Sequence, residues 1–211
     1  MIDKLKEAVL DGDSTVVSEL TTSAIEAGHL PAEILDEALI PAMDVVGSEF
    51  ESGIRFIPEM LISAEAMKAS MVILRPLLAE SGIPPKGRIL IGTVEGDLHD
   101  IGKDLVATML EGAGYEVIDL GVEVTADRFV EAVREFQPDI LAISALLTTT
   151  MVYMPQVIER LAEAGLREST EIIVGGAPVT QSYADKIGAD GYAEDAAAAV
   201  ALVKRLLVAV S

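Results

Sequence analysis

A histidine flanked by two aspartates follows an apolar segment near the middle of the chain. The stretch reads Glu-Gly-Asp-Leu-His-Asp-Ile-Gly over residues 95–102. Asp97 precedes His99 by two residues, so its carboxylate can reach one ring nitrogen of the imidazole and set the tautomer. The other ring nitrogen is then available as a metal ligand. The alternative is a surface loop in which the histidine merely caps the following helix.

The composition limits which metal chemistry this histidine can perform. The chain has no cysteine and only two histidines, His29 and His99. One histidine without a thiolate or a second nearby histidine cannot build a tetrahedral zinc site. A single protein nitrogen is sufficient, however, when a macrocycle supplies the equatorial ligands of the metal. The residues therefore favour a tetrapyrrole-like cofactor.

Two later segments have the composition of ligand-binding loops. Residues 144–150 read Ser-Ala-Leu-Leu-Thr-Thr-Thr, in which hydroxyls and apolar side chains could line a channel. Residues 175–178 read Gly-Gly-Ala-Pro and leave room for a group buried against a sheet. Each has a common alternative, a helix N-cap cluster for the first and a tight turn for the second. Their shared position with His99 at predicted strand ends favours one common site.

The elements that must position these residues change in character near residue 80. Apolar residues recur at helical spacing through residues 1–80, which predicts four helices with short connections. Residues 81–87 contain two prolines and two glycines and are typical of a stiff linker. Residues 88–211 alternate five short apolar strands with helices, which predicts an α/β domain with a flavodoxin-like, doubly wound parallel sheet. Ligands of such sheets bind beyond the carboxyl ends of the strands.

The charge balance excludes several classes of partner. Fifteen basic residues against 35 acidic ones give a net charge of -20. A nucleic-acid binder needs a basic face, and an anionic membrane attracts basic segments, so neither partner is expected. The first ten residues lack the uncharged apolar stretch of a signal peptide, and we expect a cytoplasmic protein.

Three motifs in this order resemble those of the cobalamin-binding proteins. Residues 97–102 match Asp-x-His-x-x-Gly, residues 144–146 match Ser-x-Leu, and residues 175–176 match the later Gly-Gly. The helical half, through residues 41–67, resembles the cap module joined to the cobalamin domain in methionine synthase and in free-standing corrinoid proteins of anaerobic methyltransferase systems. The resemblance covers nearly all of the chain.

The resemblance implies a role for each matched residue. His99 would be the lower axial ligand of cobalt, while Asp97 would hold His99 and relay protons with Thr150 as its hydroxyl partner. Three further residues of the first motif would contact the cofactor: Asp100, Ile101 and Gly102. The slot for the displaced nucleotide tail would be lined by Ser144, Leu146, Thr148, Gly175, Gly176, Ala177 and Ala196. The upper face of the corrin would be covered by the cap residues Phe50, Ile57 and Leu61.

The implied function is that of a methyl carrier. The cofactor would be cobalamin or a related corrinoid that alternates between methylcobalamin and cob(I)alamin states. One partner, a substrate-specific methyltransferase, would load the methyl group. A second, dependent on tetrahydrofolate or coenzyme M, would remove it, and a reductive activator is a third expected partner. The chain would not turn over alone, and the linker at residues 81–87 is the expected hinge for cap movement.

Three other interpretations remain open at this point. The first is the small cobalamin subunit of an adenosylcobalamin-dependent mutase, a class that shares the three motifs but lacks the N-terminal cap. The second is a light-sensing cobalamin regulator, for which no basic DNA-binding face is visible. The third is a doubly wound interaction domain without a cofactor.

Overall fold

The protein divides into two compact units. The computed structural model describes residues 1–81 and 85–210. One unit comprises Met1–Lys86 with Thr108–Gly114, and the other comprises Gly87–Ala107 together with the chain from Tyr115 onward. Part of the predicted linker, residues 82–84, lies outside the described residues. No helix in the described part of the chain is both long enough and apolar enough to cross a membrane.

The first unit is built from helices. Its helical elements are α1 (Ile2–Asp11), α2 (Ser14–Glu26), α3 (Pro31–Ile34), a π-helical turn (Leu35–Leu39), α4 (Ile40–Glu51) and α5 (Ile57–Glu80). Helix α3, the π turn and α4 follow one another without a break, so together they form the single third helix that the sequence predicts. The four-helix prediction for this part of the chain is therefore confirmed.

Local sequence signals explain where these helices begin and end. Asp13 caps α2, since its Oδ1 accepts hydrogen bonds from Thr15 N at 3.1 Å and Val16 N at 3.0 Å. Gly12 ends α1 in the left-handed conformation that favours glycine. The π turn ends two residues before Pro41, a residue that has no N–H to donate within a helix.

The second unit is an α/β domain. Its strands are β1 (Arg88–Thr93), β2 (Glu116–Asp119), β3 (Ile140–Ser144), β4 (Glu171–Gly175) and β5 (Gly191–Ala193). Its helices are α7 (Ala126–Phe136), α8 (Met154–Glu163), α9 (Gln181–Ile187) and α10 (Ala196–Val210), together with the first part of α6 (Ile101–Gly112), whose residues from Thr108 onward belong to the first unit. A 3-10 turn over Met151–Tyr153 starts the element predicted as one helix from residue 151.

The sheet has the strand order β2-β1-β3-β4-β5, and every described pairing is parallel. This is the flavodoxin-like order, so the predicted fold class is confirmed. The inner strands β1, β3 and β4 are almost continuously buried because helices cover both faces. Phe129 of α7 and Leu161 of α8 are fully buried in the core beside these strands. The strand order reverses between β1 and β3, which is where such sheets bind ligands.

Candidate functional site

The last residues of four neighbouring strands lie side by side at the carboxyl edge of the sheet. Thr93 of β1 is in register with Ser144 of β3, Ser144 with Gly175 of β4, and Gly175 with Ala193 of β5. The loops that follow β1, β3 and β4 contain the three motifs singled out in the sequence. Parallel pairing therefore brings together segments that are about 30 to 80 residues apart along the chain.

His99 lies in the loop between β1 and α6 and is held by Asp97. Oδ1 of Asp97 accepts a hydrogen bond from Nδ1 of His99 at 2.6 Å and another from the His99 backbone N–H at 3.1 Å. The Asp97 side chain is completely buried, whereas the His99 side chain is 50% exposed. One edge of the imidazole is thus anchored in the protein, and the ring reaches the surface.

The second oxygen of Asp97 is held by the loop after β3. Oδ2 accepts hydrogen bonds from the backbone N–H of Leu146 at 2.8 Å and from the Thr150 hydroxyl at 2.6 Å. Thr150 precedes the 3-10 turn, but its side chain does not cap that turn. The N-cap alternative for this hydroxyl therefore does not apply, since the Thr150 hydroxyl is directed to Asp97.

These hydrogen bonds determine the ionisation of Asp97 and the tautomer of His99. Burial acts to raise the pKa of Asp97, but the hydrogen bonds from Thr150, Leu146 and His99 outweigh burial and lower this pKa well below its ordinary value. An ionised carboxylate can only accept, so Nδ1 of His99 carries a proton. Nε2 is thus the ring nitrogen that can offer a lone pair to a metal, and no residue in the described ranges hydrogen-bonds to it.

The surroundings of His99 fit a large, partly apolar ligand. Leu98 and Ile101 flank the histidine and are 66% and 84% exposed, while Leu146 and Leu147 are each 42% exposed. Solvent-exposed apolar side chains concentrated around a polar centre are typical of a surface that a ligand covers. Gly102 has open space where a Cβ would stand, so a flat molecule can approach its backbone. A macrocycle with a metal ligated by Nε2 is compatible with these features.

The other predicted site residues differ in how closely they join this arrangement. Ser144 is half-buried at the end of β3, and Ala196 is buried at the start of α10. Gly176 has a φ of 122°, and its backbone closely approaches Ala145. The following residues are exposed: Asp100, Thr148 and Ala177. In the helical unit, Ile57 and Leu61 are 49% and 37% exposed and Phe50 is half-buried.

Two features of the site are absent from the sequence prediction. The hydroxyl of buried Thr93 donates to the carbonyl oxygen of His99 at 3.1 Å and so holds the loop from beneath. Lys103 is buried in the first turn of α6 and forms ion pairs with Asp104, at 2.5 Å, and with Asp119 at the end of β2. A lysine at a helix position that faces the protein interior needs a charged partner, and this signal in the sequence could have indicated the cluster.

Comparison with known families agrees with the motifs. A family profile described as a B12 binding domain matches residues 87–201, and a second profile of the same description matches residues 1–75. The two matches together leave out only residues 76–86 and 202–211.

Individual relatives match over almost the whole chain. A dimethylamine corrinoid protein of Methanosarcina acetivorans is 49% identical over 98% of this chain and 97% of its own. A trimethylamine corrinoid protein of Methanosarcina mazei is 46% identical over 99% of this chain and 97% of its own.

Solved structures give the same result. The methanol:cobalamin methyltransferase complex of Methanosarcina barkeri contains a chain with a TM-score of 0.86 and 33% identity, covering 97% of this chain and 78% of that one. A cobalamin-binding protein of Desulfitobacterium hafniense has a TM-score of 0.78 and 32% identity, with 98% of each chain covered. The protein therefore belongs to the family of corrinoid proteins, which combine a helical B12-binding module with a flavodoxin-like B12-binding domain.

Proposed function

We propose that this protein is the methyl-carrying corrinoid subunit of a methyltransferase system and that His99 is the lower axial ligand of its cobalt. The observation that supports this most directly is the buried, ionised Asp97 beside His99. Its Oδ1 accepts a hydrogen bond from the protonated Nδ1, so Nε2 is left with its lone pair at a half-exposed position. A bound corrinoid supplies a cobalt centre that accepts a methyl group from one partner and releases it to another.

The protein's own residues would orient the axial ligand and bind the cofactor. Asp97 keeps the imidazole in one tautomer and in one orientation, and Thr150 keeps the carboxylate in place. Around them, Asp100, Ile101 and Gly102 would contact the cofactor. The slot for its nucleotide tail would be lined by Ser144, Leu146, Thr148, Gly175, Gly176, Ala177 and Ala196. Small residues suit a slot, since they leave volume beside the sheet.

The helical unit would act as a cap. It exposes large apolar side chains in the α4–α5 connection and in α5, among them Phe56 at 68%, Ile57 at 49% and Leu61 at 37%. Together with Phe50, these side chains would exclude water from the reactive face of the cofactor. In the proposed domain organisation, residues 1–80 form the cap, residues 81–87 form the linker and residues 88–211 bind the cofactor. Mutase subunits of the cobalamin family lack such a module, so the match of residues 1–75 to a B12-binding profile favours the carrier.

The relatives support one of the proposed partners, a substrate-specific methyltransferase. Those named for trimethylamine and dimethylamine suggest that a methylamine-specific methyltransferase loads the methyl group. The structural match to a methyltransferase complex supports a direct complex with such an enzyme. A second methyltransferase, which uses tetrahydrofolate or coenzyme M, would remove the group, and a reductive activator would restore the cofactor.

The axial assignment is tested by electron paramagnetic resonance of the cobalt(II) form. The protein is labelled with ¹⁵N-histidine and loaded with unlabelled hydroxocobalamin, which is then reduced by one electron. Ligation by His99 gives doublet nitrogen splitting in the labelled protein and triplet splitting in the unlabelled one. His99→Ala should remove the doublet. The matched control is His29→Ala, because His29 lies in the helical unit with Nδ1 bound to Glu33 at 3.0 Å. A triplet in the labelled wild type would overturn the assignment.

The carrier role is tested by reconstitution. The loaded protein alone should not demethylate trimethylamine, dimethylamine or methanol. After reduction of the cofactor to its methyl-accepting state by an added low-potential reductant, one partner methyltransferase should produce a single turnover, and both together with tetrahydrofolate or coenzyme M should produce continuous transfer. Sustained demethylation by the loaded protein without any added protein would contradict the proposal.

A further inference from the structure

The loop after β4 closely approaches the backbone of the loop after β3. A Cβ added to Gly176 would lie 2.9 Å from the carbonyl carbon and 3.2 Å from the nitrogen of Ala145, and closer still to its carbonyl oxygen. Gly176 also has a φ of 122°, a conformation that side-chain-bearing residues rarely adopt. The atoms that an added Cβ would contact are backbone atoms of Ala145, which is fully buried. They therefore cannot move aside as the end of a flexible side chain would.

The carbonyl oxygen beneath Gly176 belongs to a peptide group that also serves the histidine site. The C=O of Ala145 and the N–H of Leu146 form one planar unit, and in a trans peptide they point in opposite directions. On the other side of that plane, the Leu146 N–H donates to Oδ2 of Asp97 at 2.8 Å. Any displacement of the oxygen therefore turns the N–H away from the carboxylate.

Asp97 transmits the position of this peptide to the imidazole. Its Oδ2 accepts from Leu146 and Thr150, and its Oδ1 accepts from Nδ1 of His99 at 2.6 Å. The carboxylate is completely buried, so no water replaces a lost donor at low cost. Without the Leu146 N–H, Oδ2 keeps only the Thr150 hydroxyl as a donor, so the carboxylate and the imidazole bound to it are held less firmly.

We propose that Gly176 is a positioning residue for His99. Its lack of a side chain allows the loop after β4 to pack on the 145–146 peptide, which holds Asp97 and, through it, the imidazole. The two loops thus form a mechanical connection between the proposed tail slot and the axial ligand. This inference rests on the proposed function only in taking His99 as the cobalt ligand.

The test compares Gly176→Ala with Gly188→Ala. Gly188 also has a positive φ, 77°, but nothing lies within 4 Å of the position of its Cβ, so it controls for backbone strain without a clash. In cofactor-free full-length protein, Gly176→Ala should move the Leu146 amide resonance upfield and accelerate its hydrogen exchange at least about tenfold. The imidazole ¹⁵N shifts of His99 should change from one tautomer towards a mixture. Gly188→Ala should leave both signals unchanged.

If Leu146 and His99 in folded Gly176→Ala give wild-type signals, the inference is wrong. Should that variant not fold, Asp97→Asn tests the connection in the opposite direction. It should shift the amide resonances of both Leu146 and Gly176 but not that of Gly188. A shift of Leu146 alone would overturn the inference. These results do not depend on cobalt ligation, which the ¹⁵N-histidine measurement decides separately, so failure of one proposal is distinguishable from failure of the other.

Discussion

The Thr150 hydroxyl donates a hydrogen bond of 2.6 Å to Oδ2 of Asp97, although the two residues are 53 positions apart in the chain. The same carboxylate binds the ring of His99 two residues away. A long-range contact and a local one therefore meet on a single buried group. Replacing any of these three residues should lower both the affinity for the cofactor and the free energy of unfolding. Which of the two falls more depends on the hydrogen bonds that the replaced residue makes.

Asp97→Asn should weaken corrinoid binding more than it affects folding. An asparagine has one acceptor oxygen, so it cannot receive the four hydrogen bonds that reach Asp97, and His99 loses its fixed tautomer. We expect an affinity about 10–100-fold lower, as for other partners of metal-binding histidines. Absorbance titration with hydroxocobalamin measures it. The control is Glu95→Gln, an exposed carboxylate in the same loop. Equal affinities for wild type and Asp97→Asn would contradict the role of the carboxylate.

Thr150→Val should destabilise the cofactor-free protein by about 1.5–3 kcal/mol. The substitution keeps the shape of the side chain but removes a hydrogen bond to a buried charged group. Urea denaturation followed by circular dichroism gives the difference. Thr150→Ser retains the hydroxyl and should recover most of the loss, whereas Thr149→Val, at an exposed neighbour, should be neutral. A loss in the serine variant equal to that in the valine variant would show that the methyl group, not the hydroxyl, matters.

Asp119→Asn should be more harmful than Lys103→Met. The Lys103 side chain is 1% exposed, while the carboxylates of Asp104 and Asp119 are 58% and 39% exposed. Weakening a partner leaves a buried ammonium poorly compensated, whereas removing the lysine leaves carboxylates that water can solvate. We expect the free energy of unfolding, measured by urea denaturation, to fall by about 2 kcal/mol in Asp119→Asn and by less than about 1 kcal/mol in Lys103→Met. The reverse order would refute this account of the cluster.

The same lysine predicts an alkaline transition. Burial acts to lower the pKa of Lys103, but its ion pairs with Asp104 and Asp119 outweigh burial and raise it. A raised folded pKa means that the stabilisation is complete below the unfolded value of about 10.4 and is lost as pH rises through the folded value. The difference in stability between wild type and Lys103→Met, measured by denaturation from pH 5 upward, should therefore change only above about pH 10. A change between pH 5 and 8 would not fit this cause.

Ile101→Asn should reduce corrinoid affinity without reducing stability. Ile101 is 84% exposed, so a polar replacement should change the free energy of unfolding by no more than about 0.5 kcal/mol. A bound macrocycle that covers the Ile101 side chain would lose this apolar contact in the variant, so its affinity should fall roughly tenfold. Val208→Asn, at a position 78% exposed on α10, is the matched control and should change neither quantity. Unchanged affinity in Ile101→Asn would place the cofactor surface elsewhere.

Local geometry made part of the site predictable from the chain alone. Asp97 and His99 share one short loop, so their spacing of two residues already places the carboxylate within reach of the ring. Alternation of apolar strands with helices indicated the parallel sheet, because strands covered on both faces must be apolar throughout. The absence of cysteine and the scarcity of histidine limit the metal chemistry that the chain can perform.

Tertiary structure decided the contacts that join distant segments. The Leu146 N–H reaches Asp97 across 49 residues, and Lys103 reaches Asp119 across 16. Gly176 meets Ala145 because β3 and β4 are neighbours in the sheet. A strand's residues specify that it is buried, but not which strand lies beside it, since several strand orders bury the same apolar surface equally well. Strand order and register are properties of the packed sheet, and they bring the hydroxyl, the amide and the carboxylate together around one imidazole.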